Sequence, residues 1–450
     1  MVIAAFVVSL AVIILTVVIF KLHPFLSLII GALVMGLMSG MAPITIMEKI
    51  SAGFGGTMED IGILIILGVI LGELLHNSGA TKNIANIMLK FFGVQNTPLA
   101  INITGYLICI PVFFDAAFVI LIDLMKQLSR EGKIALNILV CALSVGMTMT
   151  HAMVIPTPGP LAVAGIVGAN VAWFIFYSLI VSLPASIIAG VLYGKYLEKH
   201  PAWGAALKED VHISDTAISK TGDDRETASG VLGIFLILLP IVLIIIGTIA
   251  LMMVDKKSGI YPVIEFLADT NVILLFTVFL GFFMLRKYLT NSFNDIVSTA
   301  AESVGSIIAI ISAGGGFGTV INDSGLGPVM VSGLTSLGIP LIVLAFVLTQ
   351  VLRMGLGSIT VSLVTTAAVV APLIAATNSS PVLIGLAVCA GGIGLCMPND
   401  SSFWTISKFS EFSFSETVTV LTVSGTIAGF SAFAIVLILN QLSGILPGLH

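Results

Sequence analysis

Charge is what this chain has least of. Only 9% of its 450 residues are Asp, Glu, Lys or Arg, against about a quarter in an ordinary soluble domain, so the sequence cannot clothe a globule of this size in water-facing side chains. The net charge of -5 supplies no basic face for a phosphate backbone and excludes nucleic acid as a partner. Cysteine is nearly as scarce: Cys109, Cys141, Cys389 and Cys396 all fall inside apolar runs, and none forms a CxxC or CxxH pair of metal-ligand spacing. They read as small, reduced hydrophobic side chains. The six His show no HExxH or comparable spacing, and no nucleophile stands with a base, so no metal, cofactor or enzyme activity is expected. The alternating pattern of a membrane β-barrel is missing too.

Apolar residues fill the space that charge leaves, at 58%. They come in continuous runs of the length, about 20 residues, that crosses a bilayer core of roughly 30 Å as a helix. The runs lie near 2–20, 24–41, 98–124, 134–156 and 171–194, and again near 230–254, 270–285, 339–376, 381–397 and 417–442. The first has no basic n-region and meets Lys21 where a cleavage site would be, so it reads as a transmembrane helix rather than a secretory signal. Between the second and third run of each set, at 59–92 and 302–336, two apolar legs flank a Gly-containing polar turn, the pattern of a re-entrant hairpin. A polar stretch divides the two sets.

The expected fold is an all-α polytopic membrane protein made of two repeats, 1–199 and 230–450, joined by a cytoplasmic linker at 200–229. Each repeat has about five transmembrane helices plus a re-entrant hairpin, and an odd number of spans makes the second repeat enter the membrane inverted. Motifs recur in the same order: Asn77-Ser78-Gly79 with Asp323-Ser324-Gly325, Pro111 to Asp115 with Arg353 to Ser358, and Pro156 to Pro160 with Pro398 to Ser401. Their near-constant separation is what a duplication leaves. With the N-terminus outside, cytoplasmic loops hold Lys21, Lys126, Arg130, Lys133, the linker cations, Arg286, Lys287 and Lys408, while the opposite side has Lys49, Lys90, Lys256 and Lys257. That asymmetry sets the orientation.

Helices broken at the midplane are where such proteins gather polar groups, because unwound backbone is tolerated there only when it lines a cavity. Pro156-Thr157-Pro158-Gly159-Pro160 cannot continue a helix, and the helix that restarts after it aims its positive end at an anion. Asn399, Asp400 and Ser401 stand at the matching restart. Ionisable residues inside apolar runs are costly, about 2.5–3.5 kcal/mol each at a helix centre, which singles out Asp115, His151, Arg353, Asp400 and Asp323. Arg353 suits a substrate carboxylate, since its planar fork donates two hydrogen bonds at once; the other reading is an internal ion pair with Asp115 or Asp400. Gly314-Gly315-Gly316-Phe317-Gly318 lacks the Lys and Ser or Thr of a phosphate loop and reads as close helix packing. A channel would need a continuous polar stripe, whereas here the polar groups cluster at breaks.

These motifs, with His23-Pro24-Phe25-Leu26, Phe113-Phe114-Asp115, Thr150-His151, Gly357-Ser358-Ile359-Thr360-Val361 and Asn399-Asp400-Ser401-Ser402-Phe403-Trp404, resemble those of the gluconate permease family over about residues 20–430. The resemblance implies a secondary symporter in the bacterial inner membrane that takes up gluconate, related sugar acids or D-serine with protons. It also implies a homodimer whose transport domain moves as an elevator. The residues expected around the substrate are the hairpin turns Asn77, Ser78, Gly79, Asp323, Ser324 and Gly325, together with Asp115, Thr150, His151, Thr157, Pro158, Gly159, Arg353, Gly357, Ser358, Thr360, Asn399, Asp400 and Ser401. Asp115, Asp400 and His151 are the proton-coupling candidates, since burial in a low dielectric brings a carboxyl into a useful range. Where sugar-acid members of the family usually have His and Gln, this chain has Thr157 and Leu356. Both losses remove polar partners and point to a smaller or less hydroxylated carboxylate. The partners expected are that small organic anion, protons or sodium, and membrane lipid. A sodium-coupled carboxylate transporter and an amino-acid permease are the alternatives.

Overall fold

The computed structural model describes residues 2–93, 96–111, 114–198, 226–325, 329, 339–397 and 400–449, and among them the regular structure is helical with no strand. α1 (Val2–Val18), α2 (Pro24–Met38), α3 (Pro43–Asn77), α4 (Ala80–Phe92), α5 (Thr97–Ile108), α6 (Phe114–Gly132), α7 (Leu136–Met153) and α8 (Pro158–Ile166) come first. α9 (Val171–Ser186) passes through a π-helical stretch, Ile187–Leu192, into α10 (Tyr193–Glu198). The second set begins at α11 (Gly230–Met253) and continues with α12 (Tyr261–Ala268), α13 (Thr270–Leu285), α14 (Phe293–Asp323), α15 (Leu341–Leu356), α16 (Ile359–Ala376), α17 (Pro381–Ile393) and α18 (Ser401–Ser410). α19 (Phe414–Thr417) enters a second π-helical stretch, Val418–Val423, before α20 (Ser424–Gln441).

Sequence chemistry places the starts. Proline stands in the first turn of α2, α3, α5, α8, α12 and α17, where its missing N–H costs nothing. Ser292 with Asp295 and Ser413 with Glu416 form reciprocal capping boxes at α14 and α19, satisfying two donors each. His23 accepts from Phe25 N to cap α2, and its Nε2 meets Ser306 Oγ of α14 at 2.8 Å.

The described residues include six stretches long and apolar enough to cross a bilayer, and the α12–α13 pair, bent by 59°, is a seventh if taken as one. That is fewer than the uninterrupted runs of the sequence. Two of those runs, near 98–124 and 339–376, are each divided by a break into two shorter pieces, the run near 381–397 holds a helix of only 13 residues, and α2 has only 15. The first hairpin differs from expectation in its outer leg: α3 runs 35 residues without interruption from Pro43, since Glu59 and its neighbours are compatible with helix. The second hairpin's return leg lies outside the described residues, as does most of the linker.

Both hairpin turns have the same backbone. Ser78 and Ser324 close their helices in right-handed conformations, their hydroxyls donating to Leu75 O (3.0 Å) and Ile321 O (2.6 Å), and Gly79 and Gly325 follow at φ +75° and +74°. Only glycine adopts that conformation freely. The first turn is covered: Ala228 N donates to Ser78 O at 3.0 Å, and Asn83 Nδ2 reaches Thr227 Oγ1 and Ala228 O.

The two long helices α3 and α14 pack along each other at the centre. Glycine makes this approach possible. A Cβ on Gly315 would overlap Thr57 Oγ1 and stand 2.7 Å from the Gly53 carbonyl, and one on Gly53 would stand 2.5 Å from the Gly315 carbonyl. Gly316 lies against the Ile50 carbonyl, while Gly314 and Gly318 lie against Val364 and Ala368 of α16. The Gly314–Gly318 run thus serves close helix packing. Contacts across the two sets are reciprocal, with α6 against α18, α8 against α16, and α7 against α17.

Gly315→Val should lower the stability of detergent-solubilised protein by about 1–3 kcal/mol through overpacking. Gly55→Ala, where nothing lies within 4 Å of the added carbon, should leave the melting temperature in place; equal losses at both positions would refute the close-packing account.

Candidate substrate site

Two breaks of the second set meet first. α15 ends at Leu356, Gly357 turns left-handed at φ +67°, and Ser358 caps α16 by accepting from Val361 N at 3.4 Å. Residues 394–400 lead from α17 to α18, where Asp400 Oδ1 accepts from Ser402 N at 2.7 Å. Arg353, in the last turn of α15, is 1% exposed, and its Nη2 forms an ion pair with Asp400 Oδ2. Its Nε and Nη1 are buried without a hydrogen-bond partner among the described residues. Taking both charges out of water costs several kcal/mol apiece, and their attraction repays this only when the remaining hydrogen bonds are satisfied. Among the described residues, Nε and Nη1 of the arginine have none.

The first set brings its own breaks to the same place. α7 ends after Thr150 and His151, and α8 restarts at Pro158 with Thr157 as its N-cap. The Thr157 hydroxyl does not cap α8; it turns back to the carbonyls of Thr150 (3.3 Å), His151 (3.4 Å) and Val154 at the end of α7. Its proton is therefore spent and only lone pairs face outward. A Cβ on Gly159 would stand 3.1 Å from Leu363 Cδ1 and 3.6 Å from Thr360 Oγ1, so the starts of α8 and α16 touch. α3 closes the other side: Gly68 lies against the Pro156 carbonyl and Gly72 against that of Pro111. His151 stands within electrostatic reach of Asp400, Arg353 and Asp115. The space enclosed by His151, Thr157, Cys109, Pro111 and Gly68 is only about 10 Å³, room for one water at most. The site is closed, with an internal carboxylate on its arginine.

Arg353, Asp400, His151, Asp115, Thr157, Pro158, Gly159, Gly357, Ser358 and Thr360 thus belong to one region. Ser401 opens α18 beside Asp400, and Asn399 lies outside the described residues. Thr150 is near in sequence, but its hydroxyl donates to Tyr106 O at 2.7 Å and ties α7 to α5. The hairpin turns make other contacts. Asn77 Oδ1 accepts from Thr290 N and Oγ1 at 2.8 Å and from Asn291 N at 3.2 Å, and Asp323 pairs with Lys49 Nζ at 2.6 Å. Asn77, Ser78, Gly79, Asp323, Ser324 and Gly325 therefore act as latches in this conformation. Sequence reasoning missed Gln350, 5% exposed with neither amide atom partnered among the described residues, packed against Gly394 and Gly429. Its signal was present: a polar residue one turn before Arg353 in an apolar helix.

Compared with known proteins, residues 1–442 match the family model described as GntP family permease. The chain is 32% identical over 415 residues to the low-affinity gluconate transporter of Escherichia coli K12, covering 91% of each. It is 30% identical over 437 residues to the D-serine transporter DsdX of the same strain, covering 96% of this chain and 97% of that one. The gluconate permease of Bacillus subtilis is 29% identical, with 93% and 95% covered. Among solved structures, the Alcanivorax borkumensis YdaH transporter aligns with a TM-score of 0.62 over 88% of both chains at 14% identity. Neisseria gonorrhoeae MtrF aligns with the same TM-score and identity, over 88% of this chain and 84% of that one. At that identity the likeness is one of fold.

Removing one partner of the buried pair should cost more than removing both. Arg353→Met or Asp400→Leu alone strands a charge, at about 3–5 kcal/mol, whereas the double substitution should recover most of that loss. Thermal unfolding of the three variants in detergent tests this, and additive losses would mean the pair does not form.

Proposed function

Because the chain belongs to the GntP permease family and is a multi-pass protein of the bacterial inner membrane, we propose that it is a secondary symporter coupling proton entry to uptake of a small organic anion, a gluconate-like sugar acid or a smaller hydroxy-carboxylate. The observation that carries this reading is the buried Arg353, already holding a carboxylate and with Nε and Nη1 to spare. Gluconate and D-serine, named for the relatives, share a carboxylate, and an arginine fork in a nearly charge-free interior is the group that recognises one.

Coupling follows from competition for Arg353. While Asp400 is ionised it occupies the guanidinium. A proton on Asp400 removes that attraction, and the substrate carboxylate takes its place; one negative charge then faces Arg353 in either state. The other titratable groups around the pair are His151 on α7, Asp115 on α6 and Cys396 in the 394–400 segment, so a proton can reach Asp400 through His151 or Asp115. Thr157 contributes acceptor lone pairs, while Ser358 and Thr360 contribute hydroxyls. The reciprocal packing of the two sets supports the inverted repeat, and the change of access is the elevator movement of a homodimer that the family resemblance implies.

Proteoliposomes test the proposal directly. Gluconate, glycerate and D-serine are offered under an imposed proton gradient or sodium gradient, with wild type, Arg353→Ala and Asp400→Asn. The wild type should accumulate a carboxylate under the proton gradient alone. Arg353→Ala should lose at least about 30-fold in uptake, the loss of a desolvated charge pair. Asp400→Asn should retain counterflow yet lose proton-driven accumulation. Accumulation driven only by sodium would overturn the proton coupling, and unchanged counterflow in Arg353→Ala would overturn the anchor.

A further inference from the structure

α16 carries more hydroxyls than the carboxylate anchor uses. Thr365 and Thr366 are fully buried, and neither hydroxyl has a hydrogen-bond partner among the described residues. A buried hydroxyl left unpaired forfeits its hydration with nothing in return, so each calls for a ligand or water. Thr365 shares a helix face with Ala368 and Pro372, at i+3 and i+7. Both of those line a cavity of about 460 Å³, inside the roughly 300–1,000 Å³ range of small-molecule sites.

The walls of this cavity are built for hydrogen bonding without charge. Pro372 has no N–H to give the Ala368 carbonyl, which leaves that acceptor open. Gly318 of α14 packs against the same residue and presents no side chain there, the Ala368 carbonyl standing 3.3 Å from where one would begin. Thr57 and Thr319 donate to the Gly53 and Gly315 carbonyls at 3.0 Å each and keep their lone pairs. Asn322 adds an amide at the rim, and no charged side chain lines the cavity among the described residues.

Its position connects it to the anchor. α8 and α16 run side by side: Gly159 meets Thr360 and Leu363 at the closed site, while Gly165 and Ile166 line the cavity with Ala368 and Ala371. From Thr360 to Ala368 the helix rise is roughly 12 Å. Thr365 lies on that stretch.

We propose that this cavity is a second, outer substrate site, which binds the hydroxylated chain of a sugar acid rather than its carboxylate and through which the solute passes between bulk water and Arg353. The proposal rests on the transport reading above. It also accounts for where hydroxyl recognition resides in a chain whose inner site has Leu356 and a Thr157 that has already spent its proton.

The native cysteines are all buried, so single introduced cysteines report on the cavity. Gly56 lines it with open space where a side chain would go, and Gly55, equally open, faces away as a control. A membrane-impermeant methanethiosulfonate should label both Gly56→Cys and Gly55→Cys in proteoliposomes that carry gluconate. Labelling should abolish counterflow in Gly56→Cys alone. Gluconate should slow the labelling of Gly56→Cys several-fold, and hexanoate, the same carbon chain without hydroxyls, should not. In an independent variant, Thr365→Val should raise the KM for gluconate about fivefold, the loss of one hydrogen bond, while leaving stability unchanged or improved. Labelled Gly56→Cys that transports at the unlabelled rate would overturn the outer site and leave the transporter reading standing. Equal protection by hexanoate would overturn the hydroxyl recognition. A wild-type protein that moves no organic acid at all would remove the reading on which both depend.

Discussion

A helix interrupted inside hydrocarbon frees N–H and C=O groups that only protein can satisfy, and most of the chain's unusual chemistry answers that constraint. The Thr157 hydroxyl returns to three carbonyls at the end of α7, Ser358 caps α16, and Asp400 caps α18. Glycines do the remainder by letting intact helices approach broken ones: Gly68 and Gly72 bring α3 against the Pro156 and Pro111 carbonyls, and Gly159 brings α8 against α16. Each break needs a dry protein neighbour, and here those neighbours are α3 and the other breaks. Arg353 and Asp400 are then held at the one place where two charges can be buried together.

The ion pair is costly as architecture, and in the symport we propose it is the switch. In a low dielectric neither charge can be left alone, so anything that neutralises Asp400 creates a demand for another anion at Arg353. Coupling of this kind needs no long-range wire. Nε and Nη1 of Arg353, without a partner among the described residues, are what an incoming carboxylate would satisfy in that proposal.

Much of this was legible in the sequence. Run length and charge scarcity gave the helical membrane class, and Gly79 and Gly325 adopt the same turn that their matching motifs suggest. Arg353 and Asp400 were recognisable as ionisable residues in apolar surroundings, and an internal pair between them was one of the two readings open. What could not be read was reach. Asn77 and Asp323 occupy turns that look like ligand positions, yet in this fold they bond to Thr290 and Lys49, because tertiary packing, not motif spacing, decides what a turn faces. Thr150 and Thr157 read as free hydroxyls in the sequence, whereas in the fold they donate to the carbonyl of Tyr106 on α5 and to carbonyls at the end of α7. Gln350 passed unnoticed because one amide in an apolar run carries no periodicity.

The two hairpin turns share a backbone but are fastened by different physics. The first is held directly by neutral hydrogen bonds involving Thr227, Ala228, Thr290 and Asn291, while the exposed pair Lys287–Glu226 joins the two segments that supply them. The second is held by Lys49 and Asp323, a pair whose side chains are 40% and 29% exposed and whose attraction fades as ions screen it within a Debye length of about 8 Å at physiological strength. Two turns of the same backbone thereby differ in what fastens them. Salt in the surrounding water therefore acts on the second turn's own contact, and on the first only through the neighbouring Lys287–Glu226 pair.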